Sequence, residues 1–151
     1  MRLAMGVNVF DVVLNLFTSL GYFHGDYQDV RIIHNFYASL KPGGTLVVDY
    51  FNAAYVLKNL EAEKQITIDS VGFHIQKYFD GRRIIKTIEI QDGEQRFYYA
   101  ERVRAYSDGD LKKLIQQAGF SIEHVFGDYQ LNSFDKDASP RCIIAAKKNK
   151  S

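Results

Sequence analysis

Apolar residues fall along this chain in two rhythms. Near the start they form two short runs, Val9 to Leu16 (VFDVVLNL) and Thr45 to Tyr50 (TLVVDY), the second without polar alternation until Asp49. A run without polar alternation predicts a strand buried on both faces, hence a mostly parallel sheet covered by crossover helices. Between them Val30, Ile33, Tyr37 and Leu40 recur at helical spacing. This predicts a helix from about Asp26 to Leu40, with Asp26 and Asp29 at its positive dipole end. Pro42 stops the helix because it lacks an N–H and clashes with the preceding turn. Gly43 and Gly44 are then expected to supply the positive φ angles of a tight reversal. Strand, crossover helix, strand is the βαβ unit.

The second rhythm is alternation. Residues 66–79, 82–91 and 94–106 are rich in Ile, Phe, Tyr and Thr and are separated by Asp80-Gly81 and Asp92-Gly93. Asp-Gly between such runs predicts type I′ hairpin turns, so a three-stranded antiparallel meander is expected. Phe73, Ile75 and Phe79 alternate with His74, Gln76 and Tyr78, which gives one packing face and one wetter face. Upstream, residues 53–60 are compatible with a short helix. Downstream, Ser107 reads as an N-cap with Asp110 three residues on. Leu111, Leu114, Ile115 and Ala118 form a helical stripe, and Gly119 stands where a left-handed C-terminal residue is wanted. Residues 120–126 read as a strand. The polar stretch 127–139 carries no helical stripe, so the last strand, 141–146, should run antiparallel to its predecessor. No linker or repeat divides residues 1–151, and a single domain is expected, with 66–106 as a β insertion.

Composition narrows the function classes. Lys and Arg total 19 against 18 Asp and Glu, a net charge of +1, so no basic excess points to nucleic acid. The single cysteine, Cys142, rules out an internal disulfide and a multi-cysteine metal site, and its CIIAA setting is that of a small buried hydrophobe. No apolar run approaches the roughly 20 residues that span a bilayer. No signal-peptide core is visible near the N-terminus, and the cytoplasm is the expected location.

FDVVLNLFTSLGYF, followed by a helix and LKPGGTLVVDYFN, resembles the fourth strand, crossover helix and fifth strand of a class I S-adenosylmethionine-dependent methyltransferase. YSDGDLKKLIQQAGFSIEHVFGDY resembles that family's last helix and penultimate strand, and SPRCIIAAKK its final strand. The resemblance covers nearly the whole chain. It implies an α/β fold: an incomplete Rossmann-like methyltransferase sheet, an inserted meander over the substrate side and a reversed C-terminal hairpin. It also implies a departure, because the Gly-rich loop and the ribose-gripping acidic residue that open such domains have no counterpart here. Met1-Arg2-Leu3 resembles the segment after the family's third strand, so the chain corresponds to the carboxyl-terminal part of the domain.

The implied cofactor is S-adenosylmethionine and the implied acceptor a small molecule. Asn15, Thr18 and Ser19 follow a strand end where the family faces the methyl donor; the alternative is that they only terminate the strand and cap its loop. Tyr22 and Phe23 either line an acceptor pocket or pack against the core. Asp49 and Asn52 either contact substrate or close a loop onto backbone. Arg104 and Tyr106 end a meander strand and reach the same cleft, with a structural salt bridge as the simpler role of Arg104. His24, in a strand-end loop, is the candidate general base. No histidine has metal-ligand spacing. Methyl transfer asks little of side chains, since positioning an activated donor in line supplies much of the rate.

Two functions therefore stand side by side. One is methyl transfer as part of a fuller domain; the other is an inactive half-domain that serves as a dimerisation or interaction module. In either, the long apolar run from Val9 to Leu16 has an unpaired backbone edge, a template for pairing with a second copy (a homodimer) or a complementary N-terminal fragment.

Overall fold

The computed structural model describes residues 6–23 and 25–150. Met1 to Leu3 and His24 lie outside the described residues. Strand β1 (Phe10–Asn15), helix α1 (Asp26–Ser39) and strand β2 (Leu40–Phe51) build the parallel pair expected of a βαβ unit. The buried stripe of α1 is Asp29, Ile32, Ile33, Phe36 and Ser39, whereas Val30 faces out. The apolar spacing misplaced the stripe by part of a turn because a carboxylate, Asp29, belongs to it.

The segment before residue 45 departs from the expected reversal. Leu40 is already extended, and the β1–β2 register steps from Phe10↔Leu40 to Val12↔Thr45 across a bulge. Gly43 alone takes positive φ (+78°). Gly44 is needed for space: a Cβ there would sit 2.8 Å from the Lys41 carbonyl oxygen and 3.1 Å from that of Asp11.

After the short helix α2 (Ala53–Lys58) the chain leaves this sheet for a second one. It has four strands, not three: β3 (Glu63–Ile68), β4 (Val71–Phe79), β5 (Arg83–Asp92) and β6 (Gln95–Arg104), antiparallel in chain order. The run 66–79 breaks at Asp69 and Ser70, both left-handed (φ 48° and 70°), between the paired Ile68 and Val71. This is a primed hairpin turn without glycine, and so without the pair of letters that marked the others. At the third hairpin Asp92 is still paired, with Gln95, and Gly93 alone in the turn has positive φ.

The chain then returns through α3 (Asp108–Gln117), β7 (Phe120–Phe126) and β8 (Arg141–Lys148). Ser107 caps α3 as expected: its Oγ accepts from Asp110 N at 3.1 Å and donates to Asp110 Oδ2 at 2.7 Å. The first sheet has the order β1-β2-β8-β7, and β8 runs antiparallel to both neighbours. Its core is Ile32, Ile33 and Phe36 of α1, Leu46, Val48 and Tyr50 of β2, Leu111 and Ile115 of α3, and Ile144 of β8. Cys142 is buried in it, where desolvation lifts its thiol to about 11.

The two glycines make a paired test. Gly44→Ala forces Cβ against two backbone carbonyls, an overpacking cost of about 1–3 kcal/mol. Gly43→Ala meets only the flexible Lys150 side chain and carries the left-handed cost of about 1–2 kcal/mol. Urea unfolding should rank Gly44→Ala as the more damaging; the reverse order would refute the close-approach account.

Candidate active site

The carboxyl ends of β1 and β2 lie side by side because the strands are parallel, and the loop after β1 is folded down onto the end of β2. Phe17 and Thr18 both take left-handed φ, 57° and 55°. Non-glycine residues held there cost of order 1–3 kcal/mol each and persist only where surroundings over-determine them. Asp49 provides that constraint. Its carboxylate, 1% exposed, accepts from Phe17 N at 2.9 Å, and its backbone oxygen accepts from Thr18 N at 3.0 Å. Arg141 of β8 grips Asp49 Oδ1 through Nε at 2.8 Å and Nη2 at 2.6 Å, while Tyr129 donates its hydroxyl to Asp49 Oδ2 at 3.1 Å. Thr18 Oγ1 accepts from Phe51 N and Arg141 Nη2, both at 3.2 Å.

A second network hangs the four-stranded sheet from the same loop. Asp29 accepts from Gly21 N at 3.1 Å and from the Tyr106 hydroxyl at 2.9 Å. Tyr50 donates its hydroxyl to the Arg104 carbonyl, and Arg104 N donates to Gly21 O at 2.8 Å. Gly21 is forced here, since it has φ +89° and its Cβ would lie 2.6 Å from the Tyr50 hydroxyl. Arg104 and Arg82 both pair with Asp26. Burial above all raises the Tyr50 and Tyr106 phenols, so both remain protonated donors. Burial likewise pushes the Asp29 carboxyl up, against the hydrogen bonds from Tyr106 and Gly21, which lower it.

Between these networks, α2 and the near end of the four-stranded sheet, lies a cavity of about 400 Å³. Phe51, Tyr55, Val56 and Leu60 form its apolar wall on the first-sheet side. Ile84 and Val103 face them from β5 and β6. The polar groups at its rim are Tyr22, Asn59, Glu61, Lys77, Lys86 and Glu101, of which Lys86 and Glu101 are cross-strand partners 3.8 Å apart. Burial and the nearby Glu101 carboxylate raise the Tyr22 phenol, so Tyr22 stays protonated at neutral pH and offers a donor.

Of the candidates among the described residues, Tyr22 alone lines this cavity. Phe23 packs against the core. Asn15 and Thr18 are buried at the end of β1, and Ser19 Oγ donates to Leu16 O at 2.8 Å. Asp49 serves the loop and Arg141. Asn52 caps α2 by accepting from Ala54 N at 3.2 Å, and it donates to Lys136 O and Ser139 O, each at 2.8 Å. Arg104 and Tyr106 tie the sheet to α1. The other lining residues are Phe51 at the end of β2, residues of α2 and the segment that follows it, and one face of the meander. Alternation defined that face, but nothing in sequence marked the stretch of it standing over β2. Among the described residues no group of three or more His, Cys, Asp or Glu could hold a metal ion, and no helix is long and apolar enough to cross a membrane.

No family model matches the chain, and no curated protein matches it in sequence. Solved structures match it in fold. An S-adenosylmethionine-dependent methyltransferase from Clostridium acetobutylicum superposes with a TM-score of 0.80 at 19% identity, over 94% of this chain and 59% of that one. The methyltransferase CcbJ from Streptomyces caelestis gives 0.81 at 19% identity, over 98% and 61%. CalS10, an amino pentose methyltransferase from Micromonospora echinaspora solved with S-adenosylmethionine bound, gives 0.66 at 18%, over 96% and 60%. The chain has the α/β fold of part of such a domain and spans about three-fifths of the length of these proteins.

Two stability experiments follow. Arg141→Met leaves the buried Asp49 carboxylate unpaired and should cost about 3–5 kcal/mol, whereas Asp49→Asn with Arg141→Met should recover much of that loss in urea unfolding. For Asp29, a raised folded value means that the folded state holds its proton to higher pH than the unfolded chain. Its contribution to stability is therefore present below the unfolded value near 3.8 and is lost as pH rises toward the folded value. The stability of Asp29→Asn relative to the native chain should accordingly rise as pH climbs above about 4, measured by urea midpoints; a falling difference would reverse the sign.

Proposed function

We propose that this chain is the acceptor-binding part of an S-adenosylmethionine-dependent methyltransferase acting on a small molecule. The carrying observation is the cavity at the carboxyl end of β2, walled by an inserted antiparallel sheet, in a fold that matches about three-fifths of the length of such enzymes. Ligands of open α/β sheets sit beyond the carboxyl ends of the strands, and this cavity does.

The residues present fit one wall of a cofactor site. Asn15, Ser19 and the backbone of Phe17 and Thr18 would stand against the cofactor at the end of β1. Asp49, the carboxylate at this end, is committed to Arg141 and Phe17 N, so the grip on the ribose belongs to another segment. The exposed edge of β1 supports a pairing place for that segment. Val12 and Leu14 are 51% and 58% exposed on this strand, which among the described residues has β2 as its one neighbour. A parallel neighbour would cover the apolar side chains and satisfy the edge backbone. We assign that place to the remaining part of the domain in preference to a second copy, because it restores the parallel sheet.

When bound, S-adenosylmethionine supplies a methyl group already activated on sulfur. The chain's own groups then hold and orient the acceptor: the apolar walls exclude water, and Tyr22, Lys86 and Glu101 fix the polar end of the acceptor. The exposed β1 edge also supports the second reading, an interaction module without activity, and affinity separates the two.

The 151-residue chain should be titrated calorimetrically with S-adenosylhomocysteine, alone and as a chimera completed on its β1 side by the corresponding segment of the Clostridium acetobutylicum enzyme. The completed domain should bind at micromolar order and the chain alone at least ~10²-fold more weakly, since most of a cofactor's surface must be buried for such affinity. A folded chimera without binding would favour the interaction module. In the completed domain, Leu60→Arg should fill the cavity and abolish acceptor turnover while leaving S-adenosylhomocysteine affinity within about twofold; loss of both would put the acceptor elsewhere.

A further inference from the structure

The cavity wall supplied by the four-stranded sheet has one charged row between apolar ones. Phe79, Ile84 and Val103 stand side by side across β4, β5 and β6, and Ile84 and Val103 reach the common core. Two residues further along each strand, on the same face, come Lys77, Lys86 and Glu101, and then Ile75, Ile88 and Tyr99. The register makes Lys77 and Lys86 direct cross-strand neighbours, with Cβ atoms about 4.5–5.5 Å apart, and like charges so placed repel. Glu101 relieves only one of them, since its Oε2 lies 3.8 Å from Lys86 Nζ. Among the described residues the Lys77 ammonium has no ion pair or hydrogen bond, although the residue is half-buried and its backbone N is fixed to Ala62 O at 2.8 Å. Glu61, the other carboxylate at the rim, is exposed and pairs with neither lysine. A cation drawn partly out of water without a partner is unfavourable, and a second cation facing it adds to the cost. A lysine that breaks a local rule of its sheet inside a cavity marks a place where a ligand supplies the missing charge.

We propose that Lys77, with Lys86 beside it, docks an anionic group of the acceptor, a carboxylate or a phosphate ester, and thereby sets which way round the acceptor lies. The assignment rests on the acceptor-cavity reading above. An anion between the two ammonium groups replaces their repulsion by charge-assisted hydrogen bonds, which are stronger than neutral ones. The row is polarised along its length, because Lys77 on β4 and Glu101 on β6 are two strands apart, roughly 10 Å between backbones. Tyr22 lies at the Glu101 end, where burial first and that carboxylate second raise its phenol, and it belongs to the loop after β1. The cofactor stands against that loop in the reading above, so the methyl-accepting atom faces Tyr22 and Glu101 and the anion points away from it. The acceptor class is thus an apolar-bodied molecule with a nucleophilic atom at one end and a negative charge at the other.

The test is a titration of the isotope-labelled chain, followed by nuclear magnetic resonance, with four probes that share one apolar body: phenylbutanol, phenylbutyrate, phenylbutyl phosphate and phenylbutylamine. Resonances of Val56, Leu60, Ile84 and Val103 report occupancy of the cavity. The alcohol should shift them, and at least one anion should bind about fivefold more tightly or better, the tighter of the two naming the anionic group. The amine should bind no more tightly than the alcohol. Lys77→Gln should remove the anion's advantage while leaving the alcohol's affinity within about twofold, and Lys77→Arg, which keeps the charge, should retain it. Lys64→Gln, on the same face but outside the cavity, should also retain it. Binding of the alcohol with no advantage for an anion, a tighter amine, or an advantage that survives Lys77→Gln or is lost with Lys64→Gln would overturn the assignment and leave the cavity an acceptor site. A folded chain that responds to none of the probes would overturn the cavity reading and the assignment together.

Discussion

The site depends first on one buried carboxylate. Asp49 lies at the end of β2, yet through its side chain and backbone it holds the loop after β1, and through Arg141 it holds the start of β8. A charge taken out of water is tolerated only when its partners are close and its lone pairs are filled, and here an arginine, a tyrosine hydroxyl and a backbone amide fill them. The strain of two successive left-handed residues, Phe17 and Thr18, is sustained by this arrangement. The loop therefore reaches Gly21 in the place where Asp29, Tyr50 and Arg104 can meet it, and only then does the second sheet hang over the end of β2. Carboxylate, loop, glycine and sheet form a chain of dependence.

Much of this was readable from residue order. The βαβ pair, the capped α3 and the reversed hairpin followed from apolar runs, Ser107, Gly119 and the polar stretch before β8. What escaped had particular reasons. The turn at Asp69 and Ser70 uses residues that tolerate left-handed φ without announcing it, so four strands read as three. The stripe of α1 includes Asp29, whose burial is decided by Gly21 and Tyr106, distant in sequence. Asp49 and Asn52 were correctly placed at a strand end, but no local pattern shows that Arg141, Lys136 and Ser139 arrive to engage them. The cavity was the least legible part. Its walls come from α2 and from one end of one meander face, and that juxtaposition is set by the Tyr106 and Arg104 contacts.

The two sheets divide their labour. The first is held by a core packed from α1, α3 and the strands, and it presents strand ends. The second is held to it by polar contacts around Gly21 and by Ile84 and Val103 packed against the common core, and it contributes a face. Cavity-lining side chains such as Lys77, Lys86 and Val103 are thus carried on strands whose pairing does not involve the first sheet. Their replacement leaves the strand pairing of the first sheet untouched.

The nested position of the second sheet also bears on how the chain finds its fold. Every ladder in it joins neighbours in sequence through tight hairpins, one of them closed by only Asp69 and Ser70. Asp49 and Arg141, by contrast, are 92 residues apart, and bringing such distant points together carries a loop-closure entropy that grows with the length of free chain between them. The hairpins occupy the middle of that interval and fold it back on itself, α3 and its cap shorten it further, and little free chain is left to confine when β8 slides in beside β2. The insertion that shapes the cavity is at the same time the splint across the longest gap in the topology.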